Sequence, residues 1–185
     1  MVVGAKTTKP NPSSTPGIKE LPLKDVEGKQ RLHVLYGSNT GTSEAFAQRI
    51  ASAASGKGFN VNISTLDAVS GHLSKTEPTV IVTASFEGQP ADNAGRFVED
   101  LSNLTGDELK GVSFALFGCG NKDWATTYQR IPRLIDDTLE KRGAKRLLEL
   151  GEGDAAGSDF FDAFDAWEEK LWKALGEVSF NSPRV

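Results

Sequence analysis

The sequence predicts an α/β protein in which five parallel strands form one doubly wound sheet, in the order 2-1-3-4-5, with helices on both faces. From residue 31 onward, apolar runs rich in β-branched and aromatic residues alternate with helical patterns, as in repeated strand–helix–strand units. Three of these runs lead directly into loops rich in glycine, hydroxyl or aromatic residues. Because sheets of this class bind ligands beyond the carboxyl ends of their strands, the three loops are predicted to form one site.

The periodicity of the apolar residues predicts each element. Continuous apolar runs predict the strands, because parallel strands are buried on both faces. These strands span residues 31–36, 61–66, 79–84, 112–117 and 146–150. Apolar residues that recur every three or four positions predict the helices. These helices span residues 43–57, 93–104 and 128–142, and the last one carries Phe160, Phe164, Trp167, Leu171 and Leu175.

Local signals set the helix boundaries. Gly56 and Gly58 end the first helix, because glycine accommodates the left-handed conformation that often follows a helix. Pro132 falls in the first turn of the third helix, where its missing N–H breaks no hydrogen bond. The aromatic and leucine stripe of the last helix predicts a side that packs against the core.

Composition predicts a globular protein of a reducing compartment. The chain has 185 residues, of which 38% are hydrophobic and 25% charged, as expected for one folded domain with extensions. Its one cysteine, Cys119, excludes an internal disulfide. No segment resembles a signal peptide or reaches the length of a membrane span. We therefore predict a cytoplasmic protein that does not contact a membrane.

The net charge of −4 is unevenly distributed. Residues 1–31 carry +3 and the remainder carries −7, with an acid-rich stretch at 152–169. A negative folded region disfavours nucleic acid as a partner, because nucleic-acid binding selects for basic patches. The acid-rich stretch is compatible with docking onto a positive protein face, and equally with a solvated helix face.

The chain is predicted to divide into three parts. Residues 1–30 hold Pro10, Pro12, Pro16 and Pro22 among polar residues, which predicts a linker or a loosely attached arm. Residues 31–176 are predicted to form the folded domain. Residues 177–185 are expected to be a C-terminal tail or the start of a further linker.

The first loop, residues 37–42 (GSNTGT), is predicted to bind a phosphate. It opens a helix whose free N–H groups and dipole favour an anion. Ser38, Thr40 and Thr42 supply hydroxyls, and no lysine or arginine occurs among residues 37–44. The lysine of triphosphate-binding loops and the glycine fingerprint of dinucleotide sites are both missing. Neutral donors without a cation fit a single terminal phosphate.

Two aromatic residues, Phe86 and Trp124, follow the third and fourth predicted strands. Large aromatic side chains in such loops suit stacking on a planar ring, and nearby glycines let backbone groups approach the ring's polar edge. The histidines, His33 and His72, are predicted to be structural or solvated, and we predict no metal site. A monophosphate cradle with two aromatic plates predicts flavin mononucleotide (FMN) as the cofactor.

Three sequence strings carry a resemblance to a known family: GSNTGTSE at 37–44, TASFEGQPADNA at 83–94 and FGCGNKDWATTYQ at 117–129. Together they resemble the flavodoxin-like, FMN-binding domain of diflavin reductases. They are most similar to self-sufficient fusions of a cytochrome P-450 with its NADPH–P-450 reductase, of the fatty-acid hydroxylase type. The resemblance covers residues 31–175, which is nearly all of the predicted domain.

The resemblance implies a role for each loop. The phosphate is held by Ser38, Asn39, Thr40, Gly41 and Thr42. Phe86 and Trp124 flank the isoalloxazine ring, whose edges are lined by Gly88, Cys119, Gly120, Asn121 and Asp123. The second loop also contributes Ala84, Ser85 and Glu87 to the cofactor-binding set. The chain departs from the family at Phe86, where tyrosine is usual, and at Glu87, where the membrane-bound reductases have glycine.

The function that the resemblance implies is a one-electron relay. FAD in a partner domain, reduced by NADPH, passes electrons to FMN in this domain, and they continue singly to the haem of a cytochrome P-450 monooxygenase. The whole protein would be an oxidoreductase. This domain would be its electron carrier, with no catalytic residue and no substrate site of its own. The arm before residue 31 would be the tether on the haem side, and the FAD domain would follow residue 185.

Three other functions share the predicted fold. A free-standing flavodoxin would use every site residue, but would not need an arm of 30 residues. A flavin-dependent quinone reductase needs one open face of the ring, which Phe86 and Trp124 argue against. A phospho-acceptor signalling domain needs an aspartate at the end of the third strand, and residues 80–85 contain none.

Overall fold

The computed structural model describes residues 25–181, in which a mostly parallel sheet lies between two layers of helices. The strands are β1 (Gln30–Gly37), β2 (Phe59–Thr65), β3 (Thr79–Phe86), β4 (Gln89–Pro90), β5 (Ser113–Gly120), β6 (Lys145–Arg146) and β7 (Gly151–Asp154). The helices are α1 (Thr42–Gly56), α2 (Gly95–Ser102), α3 (Arg130–Lys141) and α4 (Phe160–Asn181), with a 3₁₀ turn at Asp67–Val69. Most of the expected arm and the end of the expected tail, residues 1–24 and 182–185, lie outside the described residues.

The pairing of the strands confirms the predicted fold class. β1 pairs in parallel with β2 and β3, β3 with β5, and β5 with β6, which gives the order β2-β1-β3-β5-β6. β4 forms an antiparallel hairpin with β3, and β7 pairs in parallel with the end of β5. The described sheet therefore contains seven strands rather than the predicted five.

The fifth predicted strand, residues 146–150, is wrong in its position. Its place along β5 is taken by two short strands, β6 and β7, with a break between them. A β-carbon on Gly151 of β7 would lie 2.5 Å from the rings of Phe117 and Trp167. Only glycine can run so close beneath these rings, so β7 has the sequence GEGD and lacks the apolar pattern that predicts a strand.

Two cores cover the two faces of the sheet. Helices α1 and α4 enclose an aromatic core, in which the rings of Phe46 and Phe164 stack at 4.0 Å and Phe117 meets Phe164 edge-on at 5.1 Å. Helices α2 and α3 enclose a mostly aliphatic core. The predicted stripe of α4 is buried from Phe160 to Leu175, which confirms its packing role. None of the described helices is both long and apolar enough to cross a membrane.

The register of the strands brings their carboxyl ends to one edge of the sheet. Gly37 at the end of β1 pairs with Thr83 of β3, and Thr83 pairs with Gly118 of β5. Asp154 at the end of β7 pairs with Gly120 at the end of β5. The three predicted loops therefore leave the sheet side by side, joined by a fourth loop after β7.

Part of the acid-rich stretch is neutralised within the fold. Glu152 accepts two hydrogen bonds from the Arg133 guanidinium, at 2.6 and 2.9 Å. Asp165 and Glu168 on α4 pair with Arg49 on α1, at 2.7 and 3.0 Å. Because these ion pairs lie near the surface, each contributes about 0–1 kcal/mol to stability. Three of the carboxylates expected on a docking or solvated face are therefore engaged in contacts between elements.

The residues just before β1 pack against the sheet. The Val26 N–H donates to Asn60 Oδ1 at 2.9 Å, and Asn60 Nδ2 donates to the Val26 carbonyl at 3.0 Å. The Arg31 guanidinium pairs with the Asp25 carboxylate. The end of the expected arm thus contacts β2, and at the other end α4 continues past residue 176 to Asn181.

Candidate functional site

A cavity of about 370 Å³ opens where the loops after β1, β3, β5 and β7 meet. Ten of the predicted cofactor-binding residues line it: Thr40, Thr42, Ala84, Ser85, Phe86, Glu87, Cys119, Gly120, Asn121 and Trp124. Its volume lies within the range that is usual for small-molecule sites. The three loops, which the sequence predicts to form one site, therefore surround one space.

The remaining predicted residues do not line this cavity: they are Ser38, Asn39, Gly41, Gly88 and Asp123. Each belongs to one of the same three loops. Ser38, Asn39, Gly41 and Asp123 make hydrogen bonds within or between loops. Gly41 and Gly88 have a positive φ. Direct contact between these five residues and a cofactor stays a prediction.

Asparagine side chains hold the first loop in place. The Ser38 N–H donates to Asn93 Oδ1 at 2.9 Å, and the Asp92 N–H donates to Asn39 Oδ1 at 2.8 Å. Within the loop, the Gly41 N–H donates to Ser38 Oγ at 2.9 Å. These bonds tie the first loop to the segment after β4, so its shape is set before any ligand binds.

The backbone at the end of this loop leaves amides free. Gly41 has a φ of +92°, a left-handed conformation that turns the chain into α1 and that residues with side chains rarely adopt. Among residues 25–181, the amides of Thr40, Thr42 and Ser43 have no protein acceptor. The dipole of a 15-residue helix adds partial positive charge here, and no lysine or arginine lines the cavity. This end of the cavity suits an anion.

The second loop is a two-residue hairpin turn between β3 and β4. Phe86 pairs with Gln89, and the two central residues, Glu87 and Gly88, have φ values of +50° and +80°. Positive φ at both positions defines a type I′ turn, which matches the twist of the strands. The half-buried Phe86 side chain packs against both cores and also lines the cavity. Phe86 therefore forms a fixed wall of the site.

The third loop presents Trp124 to solvent. A turn is closed by the Trp124 N–H, which donates to the Asn121 carbonyl at 3.1 Å, and the Asp123 N–H donates to Asn121 Oδ1 at 2.9 Å. The Lys122 N–H donates to Asp154 Oδ1 at 3.0 Å, which links this loop to the end of β7. The Trp124 side chain is 49% exposed and lines the cavity. It lies outside the core, where it can stack on a planar ligand.

Gln129 supports the third loop from behind. It is fully buried at the start of α3, with a φ of +58°, which is uncommon for a residue with a side chain. Its Nε2 donates to the carbonyls of Gly118 and Gly153, at 2.8 and 3.1 Å. Gln129 thereby joins the ends of β5 and β7 beneath the cavity, although it does not line it.

The Cys119 thiol forms part of the cavity floor. Burial raises its pKa to about 12, and the neighbouring Ser43 hydroxyl opposes this shift to a smaller extent. The thiol is therefore neutral at physiological pH and is not a reactive nucleophile. Cys119 belongs to the aromatic core and also lines the cavity.

Five further residues line the cavity that the sequence did not single out: Ser43, Thr127, Tyr128, Ala155 and Phe160. Tyr128 lies within the third sequence string, so its aromatic ring was a usable signal. Phe160 belongs to the apolar stripe of α4; it packs in the core and also lines the cavity. Ala155 follows β7, a strand that the apolar pattern misplaced. Ser43 was hidden because it counts as a helix residue.

The cavity therefore has two chemically different ends. Free amides come from the loop between β1 and α1, and the aromatic side chains of Phe86 and Trp124 come from the end of β3 and the loop after β5. Such a site can hold a molecule with an anionic tail and a planar ring. None of the side chains lining it forms a pair suited to acid–base catalysis, in which a nucleophile or proton donor is oriented by a neighbouring base.

Known families and proteins resemble this chain in sequence and in fold. The sequence profile of the flavodoxin family matches residues 34–167. The fold is similar to a cysteine-to-serine mutant of flavodoxin from Pseudomonas aeruginosa, with a TM-score of 0.64 and 19% identity over 80% of this chain and 99% of that one. It is also similar to oxidised flavodoxin 1 from Bacillus cereus, with a TM-score of 0.62 and 17% identity over 77% of this chain and 98% of that one. At these identities the likeness shows the fold alone.

Curated relatives are closer in sequence. The chain is 60% identical over 152 residues to a self-sufficient cytochrome P-450 monooxygenase of Phanerodontia chrysosporium, covering 82% of the chain and 14% of the relative. It is 47% identical over 170 residues to a bifunctional cytochrome P-450/NADPH–P-450 reductase of Fusarium oxysporum, covering 89% and 16%. These matches confirm the resemblance carried by the three loops. The chain spans about one seventh of the length of these relatives.

Proposed function

The chain belongs to the flavodoxin family, and from this premise we propose that it binds FMN and relays single electrons from an NADPH- and FAD-dependent reductase domain to the haem of a cytochrome P-450 monooxygenase. The observation that supports this function best is the two-ended cavity, in which neutral donors face one end and aromatic side chains the other. The relatives named above, in which a P-450 and a reductase are fused, support the choice of partners.

The donor end fits the phosphate of FMN. The amides of Thr40, Thr42 and Ser43 lack acceptors within the described residues. All three residues line the cavity, and each also carries a hydroxyl group. A cation-free cradle of this kind suits one terminal phosphate, since a longer polyphosphate usually requires lysine, arginine or a metal. Ser38 and Asn39 would act by shaping the loop through their hydrogen bonds.

The aromatic end fits the flavin ring. Phe86 offers a fixed apolar wall, and Trp124 offers an indole outside the core that can stack on a planar group. Stacking contacts of this type contribute about 0.5–1.5 kcal/mol beyond the burial of apolar area. Cys119, Gly120 and Asn121 line the cavity, and their backbone groups would bind the polar edge of the ring.

The work of the chain is to bind, orient and shield its cofactor. When bound, FMN supplies the one-electron redox chemistry, and the protein supplies binding, orientation and electrostatics. Phe86, Cys119 and Phe160 exclude water from the inner side of the cavity. Glu87, the one carboxylate that lines the cavity, disfavours further negative charge there. We propose no catalytic residue and no metal ligand among the cavity side chains.

The chain is proposed to work as one module of a larger cytoplasmic oxidoreductase. Residues 31–176 would be the FMN domain, residues 1–30 the tether to the haem domain, and residues 177–185 the start of the connection to the FAD domain. Tethered domains meet at effective concentrations near millimolar, so each docking surface can be weak and short-lived. The −7 charge of residues 32–185 favours a positive docking face on the partner.

A first experiment tests the cofactor. The purified chain should be yellow, and heating should release riboflavin 5′-phosphate in a ratio of one per chain, identified by chromatography and mass. Titration of the flavin-free chain should give tighter binding of FMN than of FAD or riboflavin, because only FMN ends in a monophosphate. A colourless chain that binds none of the three flavins would contradict the proposal.

A second experiment tests the relay. The chain is mixed anaerobically with an FAD-containing reductase module, NADPH and a carbon monoxide-saturated P-450 haem domain. Absorbance near 450 nm should develop only when all components are present. A separate assay with NADPH and a soluble quinone, without the reductase module, should show no turnover. Turnover in that assay would favour a quinone reductase instead, and a relay that serves unrelated haem proteins equally well would favour a free-standing flavodoxin.

A further inference from the structure

A second cavity, of about 330 Å³, lies toward the amino ends of β1 and β3, away from the cofactor cavity. The two cavities share no lining residue. Thr79, which lines the second cavity, is the first residue of β3, and Phe86, which lines the cofactor cavity, is the last, so these two residues are about 23 Å apart along the strand. The lining of the second cavity combines apolar and polar side chains, among them His33, Leu35, Val69, Leu73, Glu77 and Thr79.

Two polar groups of this second cavity have room for a further partner. Thr79 is 1% exposed, and its Oγ1 makes no hydrogen bond with any residue among 25–181. The Glu77 carboxylate makes two long contacts with basic side chains, at 3.4 Å to His33 Nε2 and at 3.5 Å to Arg31 Nε. A buried hydroxyl without a partner is unfavourable, and a carboxylate with long contacts can accept another donor. The second cavity therefore suits an occupant that carries an acceptor, a donor and apolar groups.

The arm enters the described structure beside this cavity. Asp25, the first described residue, pairs with Arg31, and Arg31 contacts Glu77 in the cavity lining. Arg31 lies two positions before His33 on β1, so both side chains project from the same face of the sheet. Four extended residues span about 13 Å, so the residues that directly precede Asp25 are within reach of the second cavity.

We propose that residues 21–24 (LPLK) dock in the second cavity and fasten the arm to the amino end of the sheet. This stretch lies outside the described residues. The inference goes beyond the proposed function, because it depends neither on the cofactor nor on the partner domains. Docking at this place would leave the cofactor cavity uncovered and would fix the point from which residues 1–20 extend.

The apolar residues of the stretch match the apolar part of the lining. Proline disfavours a helix at the residue before it, so Pro22 predicts an extended backbone at Leu21. Side chains two positions apart in an extended segment lie on the same side. Leu21 and Leu23 can therefore both face the apolar lining that Val69 and Leu73 contribute.

The polar groups of the stretch match the rest of the lining. An extended backbone makes no hydrogen bonds with itself, so its carbonyls are available to the Thr79 hydroxyl. Lys24 brings a cation next to Asp25, on the side where the Glu77 carboxylate has room for a donor. A covalently attached segment is also present at an effective concentration of about millimolar, which favours it over a second copy of the chain.

The first test is NMR of the full chain with labelled leucine and valine methyl groups, at several protein concentrations. Nuclear Overhauser effects should join the methyl groups of Leu21 and Leu23 to those of Val69 and Leu73, with the same intensity per chain at every concentration. The double variant Leu21→Ser/Leu23→Ser should shift the methyl signals of Val69 and Leu73.

The matched control for this variant is Val2→Ser/Val3→Ser. It removes two apolar residues from the same arm, but at positions that 17 residues separate from Leu21. The methyl signals of Val69 and Leu73 should stay in place in this control.

The second test is a double-mutant cycle measured by urea unfolding of the full chain. Leu23→Ala and Leu73→Ala each change the unfolding equilibrium constant by a factor, and independent residues would multiply these factors. Because the two side chains are proposed to touch, the double variant should fall short of the product by about threefold or more. In the control cycle, Val3→Ala replaces Leu23→Ala, and the factors should multiply to within about twofold.

Three results would overturn the inference. Methyl contacts that grow with protein concentration would assign the second cavity to a second copy of the chain. Absence of these contacts at every concentration would leave the cavity to a small molecule, and a Leu23–Leu73 cycle whose factors simply multiply would show that the two residues do not touch. Both tests are independent of flavin binding, so none of these results would contradict the proposed function.

Discussion

The two ends of the cavity are built in opposite ways. At the donor end, Asn93 accepts a hydrogen bond from the Ser38 amide, Asn39 accepts one from the Asp92 amide, and Ser43 is 1% exposed. At the aromatic end, Trp124 is 49% exposed and the neighbouring turn contains Glu87 in a left-handed conformation. The difference indicates that recognition of an anionic tail needs a preset backbone, because free amides must already point at the anion. A ring that exchanges electrons with partner proteins needs an accessible edge, so its walls can lie at the surface.

A negative charge at the donor end should have the largest effect, because it should separate the binding of FMN from that of riboflavin. Thr42→Asp places a carboxylate among the free amides, and two negative charges about 4–6 Å apart repel by about 3–4 kcal/mol at an effective dielectric constant near 20. FMN binding should weaken by at least about a hundredfold, whereas riboflavin binding should change little. The control is Thr42→Asn, which has nearly the same shape without the charge. Fluorescence titration checks both ligands, and an equal loss for FMN and riboflavin would contradict the assignment of this end to the phosphate.

The hydrogen bonds that Gln129 makes beneath the aromatic end can be removed by substitution. Gln129→Leu deletes the two hydrogen bonds to Gly118 and Gly153 and replaces the amide with an apolar side chain of similar size. We expect the free energy of unfolding to fall by about 2 kcal/mol, since two buried carbonyls lose a donor. Both flavins should bind more weakly by the same factor. Urea unfolding measures the change in the free energy of unfolding. The control is Gln48→Leu on the exposed side of α1, whose free energy of unfolding should stay within about 0.5 kcal/mol of that of the unchanged chain.

A smaller effect is expected from removing the exposed aromatic side chain, Trp124. Trp124→Ala should weaken FMN and riboflavin binding equally, by about tenfold, because it removes stacking and apolar contact with the ring but nothing at the phosphate. Stability should change little, since the side chain lies outside the core. Phe161→Ala is the matched control, because Phe161 is 63% exposed and does not line the cavity. A selective loss of FMN affinity in Trp124→Ala would reverse the proposed orientation of the cofactor.

The smallest effect concerns the thiol in the floor between the two ends. Burial raises the pKa of Cys119 to about 12, above the value near 8.5 that a thiol has in an unfolded chain. Between about pH 9 and pH 12 the unfolded chain loses this proton while the folded chain retains it, so stability falls as pH rises through that window. Below about pH 8 the thiol contributes no pH dependence.

Cys119→Ala should therefore remove part of the alkaline loss of stability and leave the slope between pH 6 and 8 unchanged. Urea midpoints measured across both pH ranges check this expectation. In the unchanged chain, iodoacetamide at pH 8 should label Cys119 only in urea. Rapid labelling of the folded chain would show that the floor of the cavity is open to solvent.

Local signals in the sequence predicted most of the fold and the outline of the site. β1, β3 and β5 were found because buried parallel strands are continuously apolar, and α1 and α4 because their apolar residues recur at helical spacing. The order of the sheet followed from the alternation of strands and helices. Since parallel strands end at one edge, three loops could be assigned to one site before any coordinates were known.

Features that depend on contacts between distant residues could not be predicted in this way. β7 is glycine-rich because aromatic rings lie close over it: those of Phe117 and Trp167 over Gly151, and those of Phe160 and Phe117 over Gly153. Gln129 looks like any polar residue at the start of a helix, and its role depends on carbonyls 11 and 24 positions away. Ser43 looks like a surface helix residue, and its burial follows from the packing of α1 on the sheet.

The sequence by itself determined which segments become strands, which loops follow them, and that the loop before α1 offers neutral donors to an anion. Only the tertiary structure decided where the fifth strand is interrupted, which amides of the first loop stay free and which of the two aromatic side chains is exposed. The physical reason is range: backbone propensity and periodicity act over a few residues, whereas burial and hydrogen bonding join residues that the chain separates and only folding brings together.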